Sequence, residues 1–178
     1  GGLKGVTAFG LFQVSSLYFE PKGVTARHRS YPKNTPQGVA GHPHLPITAI
    51  VFRNYLEVWD DQQGVRLHYH TLPGLNNALF TRDGSKLVAI TTTRDVSKAW
   101  VLKAQDGVID SEPVLLPTSH KIRAGHQVLL LSDLRDEWRV FKLDGSSEPK
   151  KLRLPTSANL WDIDPSEDLA LFSYGEQS

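Results

Sequence analysis

Two pairs of histidines are the residues whose type and spacing most suggest chemistry. His42 and His44 flank Pro43, and His68 and His70 flank Tyr69. Residues i and i+2 of an extended strand point to the same side. His68 and His70 can therefore grip one metal ion together, with His42 or His44 completing the set, and imidazole ligands suit zinc, copper or nickel. The plainer use is two solvated rings on a polar outer strand. Neither pair has a carboxylate or third ligand at a diagnostic distance, so the sequence assigns no metal and no other cofactor.

The second candidate is the basic stretch "PKGVTARHRSYPKN" at 21–34. Lys22, Arg27, Arg29 and Lys33 can together meet phosphate groups or an acidic partner. The plainer use is an exposed, proline-flanked loop whose charges keep it solvated. One aromatic, Tyr31, makes a poor platform for stacking bases, so nucleic acid is not the expected partner. Turn carboxylates at Asp83, Asp106, Asp144 and Asp168 show no pairing suited to acid–base catalysis. The chain has no G-x-S-x-G elbow, phosphate loop, dinucleotide fingerprint or H-E-x-x-H helix. No catalytic residue, and no small-molecule substrate, is indicated.

The bulk numbers set the frame for these residues. The 178 residues suffice for one sizeable domain, with 39% hydrophobic and 22% charged residues and a net charge of +1. No apolar run approaches the roughly 18–20 residues that span a bilayer as a helix. Cysteine is absent, which removes thiolate nucleophiles and Cys-based zinc sites and leaves the compartment open. Charge is unevenly spread: residues 1–45 hold five bases and one acid, while 46–178 hold 15 bases and 18 acids. We read 1–45 as a basic N-terminal segment with strand-like and loop stretches, one able to form a degenerate blade, and 46–178 as the repeat region.

The repeat is what must position the candidates. Leu72-Pro73, Leu116-Pro117 and Leu154-Pro155 recur at intervals of 44 and 38 residues, the last two within the tetrapeptide Leu-Pro-Thr-Ser. Each closes a strand–turn–strand run: "YLEVWDDQQGVRLHYHTLP", "KAWVLKAQDGVIDSEPVLLP" and "EWRVFKLDGSSEPKKLRLP". Trp59, Trp100 and Trp138 recur within these runs and are read as packing residues. Each Leu-Pro is followed by a second strand–turn–strand piece, such as "NNALFTRDGSKLVAITTT". Apolar clusters at 87–90 and 128–131 are too short for helices and rich in β formers. One unit is thus four short strands over about 40 residues, the arithmetic of a β-propeller blade.

"LFTRDGSKLVAI" and "YLEVWDDQQG" resemble the inner and third strands of WD-repeat-like β-propellers, with Trp59-Asp60 where the dipeptide of that family ends its third strand. The resemblance covers about residues 46–178. It departs from the family at Val101-Leu102-Lys103 and Val140-Phe141-Lys142, where Asp would be expected, and no Gly-His recurs at a regular distance. Looser propeller families, including those attached to periplasmic binding proteins or to serine hydrolases, fit as well. The resemblance implies an all-β propeller of four-stranded antiparallel blades in which Leu-Pro-Thr-Ser crosses from the outermost strand of one blade to the innermost of the next. Two units are complete (about 76–117 and 120–155), and 46–73 and the C-terminal end are incomplete. Closed propellers have about four to eight blades. The expectation is a ring completed by further sequence or by a partner chain.

In such a fold the crossovers and the loops between second and third strands gather at one end. That end would display Asn76, Asn77, Arg94, Asp95, His120, Lys121, Arg135, Asp136, Asn159 and Trp161, which vary between units while the framework repeats. The expected function is a non-catalytic scaffold that binds other protein chains. The alternative is the propeller portion of an enzyme, such as a hydrolase, whose catalytic part lies outside these residues.

Overall fold

The computed structural model describes residues 4–10, 13–20, 23–94, 96–117, 121–125, 127–132, 137–144, 148–152, 158–163 and 170–174. They form antiparallel sheets in chain order, with no helix among them. The first sheet is β1 (Lys4–Gly10), β2 (Gln13–Glu20) and β3 (Gly23–Ser30). The second is β4 (Gly38–Gly41), β5 (Ile47–Val51), β6 (Tyr55–Asp60) and β7 (Val65–Thr71). The third is β8 (Leu75–Phe80), β9 (Lys86–Thr93), β10 (Val96–Lys103) and β11 (Val114–Leu116). The fourth is β12 (Lys121–Ala124), β13 (Val128–Ser132), β14 (Trp138–Lys142) and β15 (Lys150–Lys151). A pair follows, β16 (Ala158–Ile163) with β17 (Ala170–Tyr174).

Each four-stranded sheet is a simple meander, and the first strands stand together: β1 beside β4, β4 beside β8, and β8 approached by β12. This is the expected blade arrangement, with inner strands around one axis and the fourth strand outermost. The second strands β5, β9 and β13 are covered on both faces and carry near-continuous buried runs. In β5, "ITAIV", all five residues are buried. Ile47, Ala49 and Val51 face the third sheet, packing with Leu75, Ala78, Phe80, Leu87, Ala89 and Leu102, while Ile50 packs toward the first sheet beside Val14 and Phe52. The seam between third and fourth sheets is built the same way from Val88, Ile90, Val101, Leu116, Leu129, Leu131 and Phe141.

The recurring Leu-Pro now has a physical role. Leu72 and Leu116 are buried in successive seams, and the following prolines are exposed just past the ends of β7 and β11. The third copy, Leu154-Pro155, lies outside the described residues. At the first crossover Gly74 has φ +77°, and its carbonyl accepts the Thr92 N–H at 2.8 Å. A Cβ on Gly74 would lie 2.6 Å from the Thr92 oxygen and 2.9 Å from Thr93 Cγ2. Gly74→Ala is therefore expected to cost at least about 2 kcal/mol from left-handed strain plus the clash. Gly64→Ala, at φ +71° with nothing within 4 Å, isolates the strain and should cost only about 1 kcal/mol. Urea denaturation of both variants measures the difference, and equal losses would mean the crossover is not this tight.

The structure departs from the sequence reading in three places. The inner strand β4 lies at 38–41, before the boundary drawn at 45/46, so the second sheet is a complete four-stranded unit. Residues 23–30 are a strand rather than a loop, because β2 pairs with them along their whole length. The three tryptophans do not share a register. Trp59 stands one residue before the end of β6 and Trp100 three before the end of β10, whereas Trp138 opens β14. Trp59 and Trp100 are half-buried on seams, while Trp138 is fully buried against Val128, Leu130, Val140 and Leu152. Packing, as expected, is their common role.

Candidate functional site

The four histidines lie along the seam between the second and third sheets, on turns and on the outer strand β7. The His42 ring accepts the N–H groups of His44 and Leu45 at Nδ1, each at 3.0 Å. Nε2 must then carry the proton, and it donates to the Gly84 carbonyl at 2.9 Å. The ring fills the space a side chain at Gly84 would need: a Cβ there would fall 2.2 Å from the imidazole. On β7, His68 and His70 do share a side, as their spacing implies, opposite Val58 and Leu56. His68 Nε2 meets the Gln105 carbonyl at 2.9 Å, and its ring blocks any Cβ at Gly107. The His42 and His68 rings are therefore clasps between sheets, each with Nε2 on a backbone oxygen, whereas His70 Nε2 is buried with no hydrogen-bond partner among the described residues. No group of three or more potential metal ligands comes together among the described residues.

The turns they clasp are shaped by their own carboxylates. Asp83 Oδ1 accepts the Thr81 hydroxyl and the Ser85 N–H, and Asp106 Oδ1 accepts the Val108 N–H ahead of a left-handed Gly107. Between these turns lies an open cleft of about 520 Å³ lined by His42, His44, Asp83, Ser85, Lys103 and Asp106, among others. Both aspartates are engaged with their turns.

Burial holds His42 and His70 below the ordinary imidazole value of 6.5. The Gly84 and Gly107 backbones oppose this, while the neighbouring His44 and His68 reinforce it. A base whose folded pKa is depressed favours its neutral form in the fold. Its stabilising contribution is complete above the ordinary imidazole pKa and declines as pH falls from there toward the folded value. Urea midpoints are thus expected to drop between pH 7.5 and 5.5, and to drop less steeply in His42→Gln/His70→Gln. Parallel curves for the two proteins would remove this role.

A second cluster, between the first and second sheets, escaped the sequence reading. Glu57 is buried and accepts from the Tyr31 hydroxyl at 3.1 Å, Trp59 Nε1 at 2.9 Å and Arg66 Nη1 at 3.2 Å. Burial and the Glu57 charge push the Tyr31 phenol well above its usual range. Beside it, Arg29 from β3 crosses to Asp61: Nη1 stands 2.6 Å from Oδ1, with side-chain exposures of 11% and 0%. The approach is short but poorly aligned for a hydrogen bond, so it acts as a charge contact. The guanidinium lies 4.6 Å over the Trp59 ring, and Asp61 Oδ2 accepts the Thr48 hydroxyl at 2.5 Å. Phe52 stacks on Tyr55 at 4.4 Å and meets Tyr31 edge-on at 5.0 Å.

This corrects one member of the basic set. Arg29 is spent inside the protein on Asp61 and is not offered to an anionic partner. Lys33 is exposed just past β3, Arg27 sits on β3, and Lys22 lies outside the described residues. Of the crossover end, Asn76, Asn77 and Arg94 are exposed at one end of the third sheet. Asn76 Nδ2 bonds Thr92 Oγ1 at 2.8 Å, and Arg94 is left-handed at φ 55°. Lys121 opens β12, and Asn159 and Trp161 fall on β16. Asp95, His120, Arg135 and Asp136 lie outside the described residues.

No protein-family model matches the chain, and no curated protein matches it in sequence. Solved structures do. The chain is similar to TolB from Acinetobacter baumannii, with a TM-score of 0.68 and 11% identity over 98% of this chain and 48% of that one. It is similar to a chain of a nidogen/laminin complex, with a TM-score of 0.60 and 14% identity over 96% and 70% of the two chains. It also resembles an acylaminoacyl peptidase from Pyrococcus horikoshii, with a TM-score of 0.60 and 13% identity over 93% and 33%. The chain spans less than half the length of the TolB and peptidase chains it matches. Together with the meander sheets, these likenesses define the fold as a partial β-propeller with several four-stranded antiparallel sheets.

Proposed function

We propose that the chain is a non-catalytic propeller scaffold that binds other protein chains through its crossover end, within a larger assembly. The observation that carries this reading is how the polar side chains divide. His42, His68 and Arg29 in the seams are committed to neighbouring sheets, whereas Asn77 and Arg94 stand exposed at one end of the third sheet. Such residues on a fixed scaffold are where specificity usually resides. A propeller neighbour from a nidogen/laminin complex accords with it. The repeats are of WD-like kind: Trp59-Asp60 ends the third strand of its sheet, and Trp100 Nε1 reaches Thr91 Oγ1 on the second strand of its own at 3.1 Å.

The second reading, a propeller attached to a hydrolase, draws on the likeness to the peptidase. The test is native mass spectrometry of the protein from its source, with and without Asn77→Ala/Arg94→Ala. The scaffold reading expects a heteromeric assembly that the double variant loses while its thermal midpoint is unchanged. An isolated monomer, or an assembly indifferent to the variant, overturns it. Labelling by a fluorophosphonate of the polypeptide that contains this sequence would support the hydrolase instead.

A further inference from the structure

Five of the described residues have left-handed backbones, with φ between 55° and 77°: Gly64, Gly74, Gly84, Gly107 and Arg94. Glycine takes that conformation without a Cβ clash. At three of the glycines the missing side chain also makes room, for the Thr92 carbonyl at Gly74 and for the His42 and His68 rings at Gly84 and Gly107. Gly64 has nothing within 4 Å, so its turn alone accounts for it. Arg94 is the exception, a long side chain on a backbone that its own Cβ strains.

The turn asks for a different residue. β9 and β10 are joined by two residues, with Thr93 opposite Val96, and such hairpin loops favour Asn, Asp or Gly where φ is positive. Nothing among the described residues offsets the strain. The Arg94 side chain is exposed, and it makes no hydrogen bond, ion pair or ring contact with them. Strain kept where the fold gains no contact marks a residue held for use outside the fold.

The turn stands on a firm base. The Thr92 N–H is bonded to the Gly74 carbonyl at 2.8 Å, which brings the first crossover against the foot of the hairpin. Thr92 Oγ1 accepts from Asn76 Nδ2 at 2.8 Å and lies 2.9 Å from Ser97 Oγ, a polar ladder across β8, β9 and β10. Val96, two residues after Arg94, is 46% exposed and adds an apolar surface at the same turn.

A guanidinium offers only donors, keeps its charge throughout the physiological pH range and meets a carboxylate through parallel N–H···O bonds. We propose, building on the scaffold reading of this end, that Arg94 is its specificity-determining residue and takes the carboxylate of an Asp or Glu on the partner protein.

Strain and recognition separate by substitution. Arg94→Ala keeps the left-handed strain and removes the guanidinium, whereas Arg94→Gly removes both. Each should weaken the assembly from the native source by about tenfold, read from its dissociation on dilution. Only Arg94→Gly should raise the thermal midpoint of the chain freed of its partners, by about 2–4 °C. In Arg94→Lys, a carbodiimide, which joins an amine to a carboxylate, should couple the introduced amine to an Asp or Glu of the partner, read from the cross-linked peptide. Assembly of Arg94→Gly as tight as that of the unaltered protein overturns the proposal. An unraised midpoint does so too, because the turn would then store no strain. Coupling confined to the chain itself overturns the acidic partner. Dissociation of the assembly by a phosphatase would name a phosphate as the anion and overturn the carboxylate. An assembly broken by Asn77→Ala but indifferent to Arg94→Gly would leave the crossover reading standing without this residue, whereas indifference to both would remove that reading as well.

Discussion

Asp61→Ala is expected to destabilise the fold by about 3–5 kcal/mol, the range for breaking one partner out of a buried pair. Asp61 is fully buried and Arg29 nearly so. Removing the carboxylate strands the guanidinium in the seam, where the Trp59 face offers partial compensation and Glu57 is already shared among Tyr31, Trp59 and Arg66. The Thr48 hydroxyl loses its acceptor as well. Replacing both charges, as in Arg29→Met/Asp61→Leu, removes the uncompensated charge and should recover most of the loss. Urea denaturation of the single and double variants measures this. A loss below about 1 kcal/mol for the single variant would mean the pair is solvated like a surface ion pair.

Trp138→Ala is the second large effect, again about 3–5 kcal/mol, as for deleting a buried aromatic side chain. The ring is 1% exposed among Leu130, Val128, Val140 and Leu152. Trp138→Phe should cost much less than its lost volume suggests. The indole Nε1 has no hydrogen-bond partner among the described residues, nor has the hydroxyl of Ser132, its cross-strand neighbour on β13. Removing an unsatisfied buried donor offsets part of the lost packing. Ser132→Ala should accordingly be neutral or slightly stabilising. Thermal unfolding of the three variants checks the ranking, and a Phe variant as damaged as the Ala variant would show that the indole N–H is in fact bonded.

The repeat was legible because blade construction is local. Four strands joined by short turns place Leu-Pro, Asp-Gly and the apolar second strands at near-constant intervals, and Leu72 and Leu116 occupy the seams that this spacing requires. What stayed hidden was decided by neighbours. β4 reads Gly-Val-Ala-Gly, with no alternation of its own, and is a strand because β5 pairs with it. β3 looked like a basic loop because Arg27, His28 and Arg29 mask its pairing with β2. Equal spacing of the tryptophans implied equal places, yet turns of different length shift their registers. For the histidines, i and i+2 spacing gave the shared side correctly. It could not give the partners, which are carbonyls 37 and 42 residues away on the next sheet. Asp61 left a faint trace, as the acid directly after Trp59-Asp60, but its partner comes from a different sheet.

The seams between sheets are not interchangeable, and this gives the solvent a choice of where to begin. The first is fastened by an ion pair and aromatic rings, the second by aliphatic packing with imidazole clasps, and the third, among the described residues, by aliphatic and aromatic packing with the Arg82 N–H on the Gly125 carbonyl. Mild acid reaches the second joint first, where His42 and His70 are held neutral. Cooling reaches the third, because apolar burial weakens as temperature falls. One chain thus has a different weakest hinge in warm acid and in cold neutral solution, and the order in which its blades part is written partly in the medium around it.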